Sequence, residues 1–115
     1  MVAPPPNLTR ISGTVLARRP HDTLADWDAV SVAVDAASPV PGVKDLVGPN
    51  LARMATGRGP DGRPEVVIAV RRELLGAAGP GWRLAGRVKF TPNGPIGEAH
   101  PAPGEFVVEP GGNGG

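Results

Sequence analysis

Only two histidines occur in the chain, and each stands near carboxylates. His21, Asp22, Asp26 and Asp28 place one imidazole and three carboxylates within eight residues. Oxygen and nitrogen donors of that kind can hold a divalent metal. The spacing matches no established metal loop, however, and acidic residues around Trp27 are ordinary turn formers at a strand entry. Glu98 and His100, two apart, have the makings of a general acid–base pair. No nucleophile accompanies them and no second motif completes a site. A small hydrolase or metal-dependent enzyme therefore requires the fold to bring His21, His100 and Glu98 together. Gly57, Gly59 and Gly62 lack the lysine-serine or lysine-threonine pair and the helix start of a phosphate cradle, so they mark a loop.

A second chemistry lies in the cations. Arg83, Arg87 and Lys89 alternate along one apolar run, and Arg71 closes another. Residues two apart share one face of a strand, so these four form a basic stripe that can follow a nucleic-acid backbone. The alternative is a solvated face partly neutralised by Glu65 and Glu73. Single-strand binding also uses aromatic platforms. Trp82, Phe90 and Phe106 fall on the inward phase of their runs, leaving Trp27 as the free aromatic.

The elements that must position these residues are five short apolar runs: Arg10–Arg18, Trp27–Ala36, Glu65–Val70, Trp82–Thr91 and Glu105–Glu109. Each alternates or is rich in valine and is fenced by glycine and proline, so each predicts a β-strand. In the first, Ile11, Gly13, Val15 and Ala17 face the core, and mid-strand Gly13 predicts a bulge or bend. In the second, Val30, Val32 and Val34 face one way. In the fourth, Trp82, Leu84, Gly86, Val88 and Phe90 face inward. The last run turns Phe106 and Val108 inward. Between the third and fourth, Arg71–Ala78 predicts a short helix stopped by Gly79-Pro80. Residues 43–63 form an insertion, either a short helix with Pro49 in its first turn or a hairpin turning at Gly59-Pro60-Asp61-Gly62.

Strand, strand, strand, short helix, strand, strand resembles the oligonucleotide/oligosaccharide-binding (OB) fold, a Greek-key barrel. The resemblance spans most of residues 8–110 and rests on element order, on Gly13 and Gly86, and on the Gly79-Pro80-Gly81 re-entry. The expected fold is an all-β barrel of five to six strands with one short helix. Residues 1–7, with three consecutive prolines, and 111–115, nearly all glycine, have little to bury and are expected to be disordered tails around a single domain.

Composition excludes several classes. The chain has 115 residues and no cysteine, so disulfides, zinc–thiolate centres and thiol nucleophiles are absent. No apolar stretch is long enough for a membrane helix and no secretory pattern opens the sequence; a cytoplasmic protein is expected. Twelve basic and eleven acidic residues leave a net charge of +1, too little to drive global attraction to polyanions. Lys44 and Lys89 are the only lysines beside ten arginines, a bias that fits a GC-rich genome. No cofactor and no bound metal are implied. The leading expectation is a non-enzymatic module that docks onto a protein partner or assembly through its loops, with Leu46, Val47, Leu51, Met54 and Ile96 as contact residues. The same residues could instead cap the core. Single-stranded nucleic acid is the alternative partner, through Arg71, Arg83, Arg87, Lys89 and Trp27.

Overall fold

The structure is a computed structural model that describes residues 6–111. The expected disordered tails lie outside the described residues at 1–5 and 112–115. Within the expected tail, Asn7 is buried rather than free: its side-chain Oδ1 accepts the Phe90 N–H at 2.6 Å and its Nδ2 donates to the Phe90 carbonyl at 3.3 Å. The amide thus imitates a strand neighbour and fastens the chain start to the barrel.

The elements run β1 (Thr9–Pro20), β2 (Trp27–Pro39), α1 (Val47–Met54), β3 (Gly57–Arg58), β4 (Pro64–Arg71), α2 (Arg72–Leu75), β5 (Arg83–Thr91), β6 (Gly94–Gly97) and β7 (Phe106–Glu109). Strands β1, β2, β4, β6 and β5 pair in that order, and β5 pairs back onto β1. The result is a closed five-stranded, OB-like Greek-key barrel with β3 and β7 as additions. All barrel pairings are antiparallel except β4–β6, which is parallel and registers through Ala69 opposite Ile96.

Two expectations about the last strands are corrected. The fifth stave of the barrel is β6, which lies between the fourth and fifth apolar runs and belongs to neither. The Phe106–Glu109 run does form a strand, but it pairs only with β5, Arg83 to Gly86 facing Glu109 to Phe106. β6 takes the other half of that same β5 edge, from Val88 to Thr91. The two short strands therefore lie one after the other along β5, and only β6 reaches β4.

The interior is mostly valine and isoleucine: Ile11, Val15, Val30, Val32, Val34, Val66, Ile68, Val70, Leu84 and Val88 are buried. β-Branched side chains fit a pleated, enclosed surface, and full burial of each stabilises by roughly 1.5–3 kcal/mol before conformational entropy is counted. The aromatic residues do not fill the centre. Trp82, Phe90 and Phe106 are half-buried and pack against the rim of the valine core. Gly13 lies beside a register shift in the β1–β2 ladder, as a bulge requires. A second shift, between Val15 and Ala17, reverses the phase of β1. Ala17 is consequently exposed, contrary to the simple alternation, and Arg18 reaches Asp28 and the backbone just after α2.

Residues 43–63 contain a helix. Val47, Leu51 and Met54 recur at helical spacing; Val47 is buried and the other two pack against the core. The helix start is capped from outside it: Asp45 Oδ1 accepts the Gly48 N–H at 2.9 Å, and Thr9 Oγ1 accepts the Val47 N–H at 3.3 Å. The following turn at Pro60–Gly62 leads from β3 into β4, so the segment also holds the small hairpin. Two helices thus replace the one expected. The second, α2, is a single turn that drops Leu75 onto the core.

Candidate functional site

Arg83, Arg87 and Lys89 lie on the outer surface of β5, as their alternation requires, while Arg71 ends β4 with β6 between the two strands; the arginines are occupied. Arg83 Nη1 donates to Asp35 Oδ2 at 2.6 Å and to Thr14 Oγ1 at 3.1 Å. Arg87 binds Glu98 in a two-pronged pair, Nε to Oε1 at 2.8 Å and Nη2 to Oε2 at 3.0 Å. Glu105 joins this cluster, its Oε1 lying 2.9 Å from Arg10 Nη1 and 3.7 Å from Arg87 Nε. Arg71 pairs with Glu73 and donates to the Ala99 carbonyl at 2.9 Å and to His100 Nδ1 at 3.2 Å. Each arginine thus meets a carboxylate, and the segment between β6 and β7 is clasped by Arg71 on one side and Arg87 on the other. The hydrogen bond from Arg83 holds the Asp35 carboxyl below its ordinary range, burial opposing it, with Ser12 and the charges of Arg83 and Arg63 adding to the effect. Hydrogen bonding to Asp35 and to Glu98 raises Arg83 and Arg87 respectively. A surface already neutralised this way offers little to a phosphodiester chain.

The acidic cluster around His21 is dispersed in the same manner. Asp28 is 4% exposed. It accepts from Arg18 Nε at 2.7 Å and from Arg72 Nε at 2.9 Å. Burial raises its pKa, but the hydrogen bonds and charges of Arg18 and Arg72 outweigh it, leaving the carboxyl below the usual value. Arg18 also donates to the Gly76 and Ala78 carbonyls at 2.9 and 2.7 Å, which ties the end of α2 to the barrel. Asp28 is therefore the anchor of a plug. Asp26 occupies a left-handed turn conformation, and its carbonyl accepts the Arg72 N–H at 2.9 Å. His21 Nδ1 accepts the backbone N–H groups of Thr23 and Leu24 at 3.2 and 3.1 Å, closing the turn before β2. His21 borders a small cleft with Arg19, Asp22 and Asn93, whereas His100 borders a different cavity. Among the described residues no three histidines or carboxylates are grouped as metal ligands would be.

The cavity beside His100 is a groove of about 750 Å³ across the outer wall of the barrel. The register explains its floor. Lys89 and Ile96 are ladder partners on β5 and β6, and Ala69 of β4 faces Ile96 from the other side. Trp27 begins β2 opposite Arg71, two residues beyond Ala69. Outward-facing side chains at these positions fall in one row over the β4–β6–β5 seam. Leu8 and Val43 complete the apolar lining, and the Glu98–His100 segment forms a wall. The groove thus unites Trp27 and Lys89, expected as nucleic-acid contacts, with Ile96, expected as a partner contact. Lys89 is exposed, and its ammonium meets no carboxylate among the described residues.

The other expected contact residues are placed differently. Val47, Leu51 and Met54 cap the core from α1, and Leu46 is half-buried just before it. Leu51 also borders a second cleft of about 540 Å³ between α1 and β3. No local pattern of residues marks the groove itself, because its lining comes from chain segments as distant as Leu8 and His100. A hint existed only in the outward phase of Trp27 and Lys89.

No protein-family model, curated protein or solved structure matches the chain. Among the described residues no helix is long and apolar enough to cross a membrane.

Proposed function

We propose that the protein is a non-enzymatic binding module that docks onto a protein partner through the groove over its β4–β6–β5 seam. One observation carries this reading: the groove gathers Trp27, Ile96, Val43 and Leu8 into an apolar trough. Apolar and aromatic side chains clustered in a concavity are what a protein interface uses as its energetic centre. Two of its three ionisable lining side chains hold the loop between β6 and β7: Glu98 is bound by Arg87 and His100 by Arg71. Nucleic-acid binding has weaker support, since one indole and one unpaired lysine offer a single stacking platform and a single phosphate contact.

A random-peptide display screen against the full chain tests the reading. Enriched peptides should lose most of their binding to Trp27→Ala and to Ile96→Asp, and keep it with Ala52→Asp on the exposed side of α1. Failure to enrich any peptide, or enrichment of peptides indifferent to Trp27 and Ile96, would overturn it.

A further inference from the structure

We infer that the groove selects a peptide segment in which a large apolar side chain is followed by a carboxylate, with Lys89 and His100 as the groups that bind the anion. This rests on the binding-module reading and specifies its partner.

Charge at the rim is the first argument. Of the groove's ionisable lining residues, Glu98 is the only acid, and Arg87 binds both of its oxygens. Lys89 is left without an opposing charge among the described residues. His100 supplies a second donor. A guanidinium can only donate, so Arg71 Nη1 at 3.2 Å requires His100 Nδ1 to accept. The proton of the neutral ring must then be on Nε2, and His100 is exposed. The rim therefore offers an ammonium and an N–H, while the acid that would repel an anion is already neutralised.

Polarity within the trough is the second argument. A small-molecule site usually carries buried polar groups that orient its ligand. Here the one buried amide of the lining, Asn7, is spent on both backbone groups of Phe90. Its apolar lining, with Trp27 and Ile96, has shape but little hydrogen-bonding direction. Such a surface accepts an apolar side chain and relies on the rim for selectivity, which suits a chain segment anchored elsewhere along its backbone. One lysine and one imidazole match a single carboxylate better than a run of phosphates.

The test uses two acetylated, amidated tetrapeptides that differ at one position, leucine followed by aspartate in one and by asparagine in the other. Each is titrated into the full chain while the indole N–H resonance of Trp27 is followed by NMR. The aspartate peptide should bind about tenfold tighter, the scale of one charge-assisted hydrogen bond. Lys89→Gln, a change at an exposed position, should erase that difference. Equal binding of the two peptides, or discrimination that survives Lys89→Gln, overturns the inference. So does N-acetyl-leucine binding as tightly as the aspartate peptide, which would mark a small-acid site. Concentration-dependent self-association abolished by Trp27→Ala would make a second copy of this chain the occupant and overturn it too. If neither tetrapeptide binds while display yields other peptides sensitive to Trp27, the carboxylate inference fails and the binding-module reading stands.

Discussion

Arg87 grips Glu98 through two parallel hydrogen bonds, 2.8 and 3.0 Å long, joining β5 to the wall of the groove. Both side chains are three-quarters or more shielded from water. Such a pair adds geometric precision as well as attraction. Arg87→Ala should cost about 1–2 kcal/mol, since the carboxylate it frees can still turn toward solvent. Amide hydrogen exchange should quicken between residues 97 and 105 and remain slow in β1 and β2. Uniform loss of protection would contradict the clasp.

Acid should unfold the protein through Asp28 and Asp35. Both carboxyls titrate below the ordinary value of 3.8 in the folded chain. The unfolded state therefore binds more protons over that interval, and stability rises with pH across it. Their contribution is complete above the unfolded pKa and disappears as pH falls through the folded values. Urea midpoints should be nearly flat between roughly pH 5 and 7 and fall below pH 4. Asp28→Asn should cost roughly 3 kcal/mol at neutral pH, the low end for breaking a buried pair because Arg72 is half in water. It should also shallow the acid limb; an unchanged acid limb would remove Asp28 from this role.

Gly13 is required by space. A Cβ there would meet the Ala33 carbonyl oxygen and lie 2.7 Å from Val32 Cγ1. Gly13→Ala should destabilise by about 1–3 kcal/mol, the usual range for overpacking. Gly57→Ala, whose new methyl meets nothing within 4 Å, should change stability by less than about 0.5 kcal/mol. Thermal denaturation of the two variants decides this, and equal melting temperatures would refute the steric account.

Asn7 should behave as part of the barrel. Asn7→Ala leaves the Phe90 N–H and carbonyl without their side-chain partner, at a cost of about 1–3 kcal/mol. Deleting residues 1–5 instead should leave the clamp in place. Denaturant unfolding of both forms measures the contrast, and a neutral Asn7→Ala would place this residue back with the tail.

The strands that were legible in the sequence are those with long alternation. Val30, Val32 and Val34 announce β2, and Val66, Ile68 and Val70 announce β4, because burial of one face writes itself into a period of two. The order of these strands about a short helix was enough for an OB-like barrel. β6 was illegible: Gly94-Pro95-Ile96-Gly97 has one apolar side chain and earns its place through pairing with distant strands. Phe106 and Val108 show the converse case. Their alternation is real, but it reflects packing against the rim of the core, with Phe106 lying over Gly86, rather than membership of the barrel. The bulge between Val15 and Ala17 inverts the phase of β1, which hid Arg18 as the partner of Asp28. The arginine stripe was visible, but its neutralisation was not, since Asp35 and Glu98 reach it only through tertiary folding.

Ile96 is at once the residue through which β6 meets β4 and part of the floor of the groove. The parallel join registers through that one residue pair, so closure of the ring and the floor of the groove share a side chain. Any molecule that settles on Ile96 bears on this clasp. Occupancy outside the ring and closure of the ring are thereby linked, and a guest that favours the closed form must stabilise it against opening by the same free energy with which closure favours the guest.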